Sequence, residues 1–153
     1  VQELLKNYSD NLKVIELKTS ARTAKEAAAS LECEVGAIIK SLLFKSEKYF
    51  FMCLVAGDKK CSLNKLKKIT NCSDVSMANP EDVKKQTGYT IGGVSPIGHQ
   101  EPFKIIIDKS LERFEKLYGA AGHPNCIFKI DFENLIKITH GIKEDIIEWD
   151  NQN

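Results

Sequence analysis

Apolar positions along the chain fall into short clusters whose spacing shifts between helical and strand-like periods. Residues 1–8 have the spacing of a short amphipathic helix, and residues 14–17 that of a short strand. Thr23 and Glu26 form a capping box at the start of the alanine-rich stretch Ala24–Leu31, so a helix is predicted there. Residues 38–44 and 49–56 are rich in branched and aromatic side chains. Polar Lys45-Ser46-Glu47-Lys48 separates them, which predicts an antiparallel hairpin. Residues 62–69 read as a helix with Leu63, Leu66 and Ile69 on its buried side and Lys65 and Lys68 turned outward. Asn79-Pro80-Glu81-Asp82 orders a cap, a first-turn proline and acids near the positive helix end; Gly88 stops that helix after Thr87. Beyond it, the pattern predicts a strand over 103–108, a helix over 111–118 and a strand over 127–130. A last helix over 132–138 is opened by Asp131.

Several of these strands neighbour each other in sequence, so the pattern is mixed α/β without requiring a doubly wound parallel sheet. No internal repeat or low-complexity linker divides the 153 residues, and residues 1–153 are read as one domain. Apolar residues make up 42 % of the chain and charged ones 28 %, enough core to fold without a disulfide or metal. The five cysteines Cys33, Cys53, Cys61, Cys72 and Cys126 are an odd set without a C-x-x-C pair, which reads as reduced thiols in the cytosol. His99, His123 and His140 are not spaced to complete a zinc site, so neither a metal nor another cofactor is expected. The longest apolar run, residues 49–56, is far short of the ~20 residues of a membrane helix. Residues 1–20 hold no signal-peptide core, although the chain opens on Val1, which leaves any native leader out of view. These features predict a soluble, cytoplasmic protein.

A net charge of +1 argues against a surface that grips nucleic acid everywhere. The charge is nevertheless uneven. Lys59, Lys60, Lys65, Lys67 and Lys68 lie within ten residues free of acids, while Glu144, Asp145, Glu148 and Asp150 make the tail acidic. A solvated helix face is the plain reading of the lysines, and a phosphate-contacting patch the functional one.

Two places break the local pattern, and such breaks tend to mark function. Lys40 shares the strand face of Ile38, Leu42 and Phe44. A lysine there snorkels outward, guards a sheet edge or enters a cavity. Gly92-Gly93-Val94-Ser95-Pro96-Ile97-Gly98 permits unusual backbone angles and leaves amides uncovered, so it could aim N–H groups at a carbonyl or phosphate, or simply turn a hairpin. No G-x-S-x-G elbow or phosphate-binding G-x-x-x-x-G-K-[ST] loop is present. Without a strong nucleophile, any hydrolysis would use an already reactive bond and a positioned water.

Taken in order, Ile39-Lys40-Ser41-Leu42, Gly57-Asp58, Thr87-Gly88-Tyr89, the segment from Gly92 to Gly98 and Asp108-Lys109-Ser110-Leu111 resemble the YbaK-like, prolyl-tRNA-synthetase-associated editing domains. The resemblance spans roughly residues 20–140. It implies a single compact domain with a central curved mixed sheet and flanking helices. It also implies a deacylase acting on the ester of a mischarged small amino acid, often on tRNA for proline, with an aminoacyl-tRNA synthetase as a further partner. Lys40 matches the family's active-site lysine, with Ser41 beside it. Gly92, Gly93, Val94, Ser95, Pro96 and Gly98 match the segment bordering its aminoacyl pocket. Gly122-His123-Pro124-Asn125 is similar to a histidine feature of an alanine-directed branch, which makes His123 a further candidate. Lys59, Lys60, Lys65 and Lys68 are the candidates for holding tRNA. The competing readings are a non-catalytic module that binds an aminoacyl-tRNA end or a synthetase, and motifs that serve the fold alone.

Overall fold

The computed structural model describes residues 1–8, 12–18 and 23–148. Five helices, α1 (Gln2–Tyr8), α2 (Ala24–Leu31), α3 (Leu63–Thr70), α4 (Pro80–Thr87) and α5 (Phe132–Thr139), alternate with eight strands among the described residues. The strands are β1 (Val14–Glu16), β2 (Ile39–Ser46), β3 (Phe50–Ala56), β4 (Val75–Met77), β5 (Lys104–Asp108), β6 (Leu117–Ala120), β7 (Cys126–Ile130) and β8 (Ile142–Glu144).

Local chemistry sets most helix ends. The Thr23 hydroxyl accepts from the Glu26 amide at 3.1 Å while the Glu26 carboxylate accepts from the Thr23 amide at 3.2 Å, completing the predicted capping box. Asn79 and Asp131 accept from Asp82 and Asn134 at 2.7 and 2.8 Å in the same way. Each such cap is worth about 1 kcal/mol.

The larger sheet runs β4-β2-β3-β5-β8. β2 pairs antiparallel with β3 and, over Phe44, Lys45 and Ser46 only, with β4; β3–β5 and β5–β8 are parallel. β3 is covered on both faces, so Phe51 through Ala56 have no exposure and read as one apolar run. On one face Phe44, Phe51, Cys53 and Val55 pack with Leu66 of α3, Ile106, Ile146 and Ile147. On the other, Ile39, Met52, Leu54 and Ile107 pack with Leu117, Phe128, Ile130 and Leu135. The smaller sheet is antiparallel, in the order β1-β7-β6, and a single parallel bridge between Ile38 and Tyr118 ties it to β2. The result is the mixed α/β domain that the sequence predicts, with the sheet in two parts rather than one.

Two expectations are corrected. Residues 111–118 are not a helix: a 3-10 turn over Lys109–Arg113 is followed by β6. Arg113 is held out of a continuing helix. It donates to the Ser110 carbonyl at 2.7 Å and forks onto Asp58 at 2.8 and 3.2 Å, with its guanidinium 4.9 Å from the Phe114 ring centre. Leu117 and Gly119 then alternate inward along β6, a period of two that eight residues of mixed polarity concealed. In α3 the buried stripe is Leu66 and Thr70, one turn apart, whereas Leu63 and Ile69 are 43 % and 38 % exposed. Two further three-residue strands, β4 and β8, were not among the predicted elements.

Candidate active site

The register of β2 decides where the site lies. Ser46 donates to the Tyr49 carbonyl and Gly57 to the Ile38 carbonyl, so the even-numbered positions from 38 to 46 exchange main-chain bonds with the β3 side. The odd-numbered positions turn their amides and carbonyls to the opposite edge. There Ala78 donates to the Leu43 carbonyl at 3.0 Å, and β4 then diverges. Among the described residues, the edge is left open at Ser41. Its hydroxyl is buried without a hydrogen-bond partner among the described residues.

A cavity of about 350 Å³ lies along this open edge. Residues 38–43 of β2 and the preceding turn form its polar side. Ala24 and Ala27 of α2, Val83 of α4, Ile127 of β7 and Tyr118, Gly119 and Ala120 of β6 wall it with mostly apolar atoms. Thr23, Met77, Ala78, Ile91, Gly92 and Val94 complete the lining among the described residues. Among the described residues, Lys40 is the one charged residue in the lining. Its Nζ donates to the main-chain carbonyl of Lys59, in the loop after β3. Burial pushes the Lys40 ammonium below its ordinary value; Cys61 and Asp58 work against that shift and Lys60 with it. The three options open to a lysine on this face therefore resolve into a half-buried cation at the border of a cavity.

The glycine-rich segment is laid out differently from the expected continuous cradle. Thr90 to Gly93 form a tight turn, closed by the Gly93 amide donating to the Thr90 carbonyl at 3.0 Å. Gly92 occupies its third position with φ +97°, the conformation a type II turn asks of glycine. Gly92 and Val94 face the cavity. The chain then dives inward through Ser95, which has no exposure, and buried Pro96 and Ile97. Pro96, Ile97 and Gly98 emerge against a second cavity of about 410 Å³, beside Leu4, His99 and residues 137–140. His99 is lodged there, 4.7 Å from the Phe103 ring and within 2.7 Å of the Ser95 carbonyl; burial lowers its pKa. Gly93 lies behind the first cavity, where a Cβ would stand 3.4 Å from the backbone of Gly122 and His123. The His123 side chain is exposed and is not part of the lining.

Of the lysines, Lys60 and Lys68 are exposed and Lys59 half-buried. Lys65 does not turn outward as expected. Its ammonium donates to Asp145 at 2.9 Å and to the Ile147 carbonyl at 2.8 Å, so the acidic tail and the lysine helix are joined. Sequence reading missed most of the apolar wall. Tyr118 was hidden in the presumed helix, Gly119 and Ala120 followed it unassigned, and Met77 sits on a short strand that the sequence pattern did not reveal. Ile91 left a trace: an aliphatic residue at the tip of a Thr-Ile-Gly-Gly turn. Among the described residues, no three His, Cys, Asp or Glu side chains gather into a possible metal site, and no helix is long and apolar enough to cross a membrane.

Residues 18–138 match the profile of the aminoacyl-tRNA editing domain. The chain is 34 % identical over 123 residues to YwhH of Bacillus subtilis, covering 80 % of this chain and 78 % of that one. It is 28 % identical over 120 residues to EbsC of Enterococcus faecalis, covering 78 % and 73 %. EbsC carries a provisional name as a Cys-tRNA(Pro)/Cys-tRNA(Cys) deacylase. Proline–tRNA ligase of Fervidobacterium nodosum is 35 % identical over 89 residues, which are 58 % of this chain but 15 % of the ligase. Among solved structures, one described provisionally as a trans-editing enzyme for prolyl tRNA synthetase superposes with a TM-score of 0.90 at 36 % identity, over 97 % of this chain and 94 % of that one. The hypothetical protein APE2540 superposes with a TM-score of 0.89 at 26 % identity, over 95 % and 97 %. The match over 121 of 153 residues, on a fold that sets Lys40 and Ser41 along an open strand edge, shows that this chain belongs to the aminoacyl-tRNA editing domain family.

Proposed function

We propose that the chain is a trans-acting hydrolase that cleaves the ester between a small, wrongly attached amino acid and the terminal ribose of a tRNA, with tRNA for proline the first candidate. The observation that carries this reading is the cavity along β2, apolar on most sides and lined on the other, among the described residues, by an open strand edge and the cation of Lys40. A side chain of small volume fits against Ala27, Val83 and Ile127. The reacting ester lies along residues 39–43. The names of EbsC and of the trans-editing crystal structure support the same reaction class.

An aminoacyl ester is already activated, so alignment and charge stabilisation suffice without a protein nucleophile. Water attacks the carbonyl carbon, and negative charge grows on the carbonyl oxygen. The outward Ser41 amide, with the backbone at Gly92 and Val94, polarises that oxygen, and Lys40 supplies positive charge beside it. The bond to the ribose oxygen then breaks, the ribose oxygen takes up a proton and the amino acid leaves as a free carboxylate. The Lys59 carbonyl accepts from the ammonium and holds it in place. In this reading Lys59, Lys60 and Lys68 meet backbone phosphates. A prolyl-tRNA synthetase is the partner to test by co-purification, because segments of such ligases are similar to this chain.

The deciding experiment is release of amino acid from alanyl-, cysteinyl-, seryl-, threonyl- and prolyl-tRNA by the purified protein. One or more of the small amino acids should be released while prolyl-tRNA is spared. Binding without release across the panel would replace the hydrolase with a recognition module.

A further inference from the structure

Eight large hydrophobic side chains stand exposed among the described residues, and the two most exposed share one cavity. Ile91 is 60 % and Met77 55 % exposed, and both line the mouth of the β2 cavity. They come from different elements. Met77 ends the edge strand β4, just before Ala78 makes the last bond to β2. Ile91 stands at the second position of the tight turn that Gly92 closes, where a polar residue would cost nothing. Scattered single apolar residues on a surface are ordinary; two exposed ones lining the same polar-edged pocket are a candidate ligand contact.

We infer that Met77 and Ile91 form a platform for the terminal adenine of the tRNA. This rests on the hydrolase reading above, which places the aminoacyl ester inside the cavity. The ester oxygen and the adenine are attached to the same ribose ring. With the amino acid inside and the tRNA stem too large to enter, the base lies at the mouth. Each face of adenine is flat and apolar, so it covers the two side chains and removes both surfaces from water. No base-specific hydrogen bond is required, since every tRNA ends in the same nucleotide. The platform thus adds affinity common to all charged tRNAs and leaves discrimination to the cavity.

The test uses two unreactive probes on the full chain. One is 3′-alanylamino-3′-deoxyadenosine, in which an amide replaces the ester; the other carries the same alanylamino group on a methyl riboside without a base. Calorimetric titration of wild type should show the adenosine probe binding about tenfold tighter than the riboside. In Met77→Ser/Ile91→Ser that preference should vanish while riboside affinity stays unchanged. Ile91→Thr, which keeps the branched Cβ, guards against a folding defect and should lose part of the preference at an unchanged melting temperature. An equal preference in wild type and double variant, or none in wild type, overturns the platform. If wild type prefers the adenosine probe but releases no amino acid from any charged tRNA, the hydrolase reading falls while the platform stands.

Discussion

At the scale of single residues, Lys40 combines a cost with a task. Because burial holds its ammonium below the ordinary value of 10.5, the unfolded chain binds this proton more tightly than the folded one. Stability therefore rises with pH, from the depressed value up to about 10.5. Lys40→Met removes that cost, so the variant should melt no lower than wild type at pH 7, and its advantage should shrink as pH approaches 10.5. The same variant should lose deacylation, and Lys40→Arg should lose it too, because a planar guanidinium does not fit where a compact ammonium sits. Thermal scans across pH beside the release assay check both parts; an active Lys40→Met would sink the proposed role. The glycines separate at this scale as well. At Gly93 a Cβ makes ordinary contacts of 3.4 Å, so Gly93→Ala should leave the melting temperature nearly unchanged. At Gly98, φ is +75° and a Cβ would stand 2.6 Å from the Tyr89 hydroxyl, so Gly98→Ala should destabilise by about 1–2 kcal/mol. Gly98 faces the second cavity, so loss of activity there should follow loss of fold.

Among elements, the hairpin of β2 and β3 carries the site, and its turn is tied down electrostatically. The Glu47 carboxylate accepts from the Ser73 amide at 3.0 Å, the Asp74 amide at 3.1 Å and the Ser73 hydroxyl at 3.1 Å, fastening the hairpin tip to the loop between α3 and β4. These donors hold its pKa down to about 2, against an ordinary 4.5. The stabilisation is complete above about 4.5 and is lost as pH falls toward 2. Glu47→Gln should therefore lower stability at neutral pH, where the carboxylate is fully ionised, and should approach wild type as pH falls toward 2, as followed by circular dichroism across pH. How legible such elements were depends on where their information lies. The capping boxes, the proline start and the glycine stop of α4 act within four residues, so α2 and α4 appear in the structure with the predicted bounds. The 111–118 segment depended on Asp58, more than fifty residues away, and no local pattern records that partner.

For the whole molecule, charge that looks free along the sequence is partly spent inside the fold. Lys65 belongs to a clamp with Asp145 and Ile147. Tail residues extend that clamp: Ile146 accepts from Ser62, and Glu148 donates to Lys60. Lys65→Glu should therefore destabilise by about 1 kcal/mol, because it breaks a half-exposed pair and sets two acids together. Lys68→Glu should leave the melting temperature alone, raise the Michaelis constant for charged tRNA and reduce its salt dependence by about one contact. Comparing melting curves with kinetics at several salt concentrations separates the two lysines. Equal kinetics for Lys68→Glu and wild type would make the patch a solvated helix face.

The sequence by itself determined the helices with local caps, the β2–β3 hairpin, the mixed α/β class and the family to which Lys40 and the glycine-rich segment belong. These follow from interactions between neighbours in the chain, or from ordered motifs that no folding is needed to see. Tertiary structure alone decided that β4 leaves β2 at Leu43, and so that Ser41 faces a cavity. It decided too that Gly92 and Val94 line that cavity, that Met77 and Ile91 join them there, and that Pro96 and Gly98 line another. The physical reason is that a cavity is bounded by surfaces from distant parts of the chain. Its shape depends on where strands stop pairing, and that is set by packing across the whole domain.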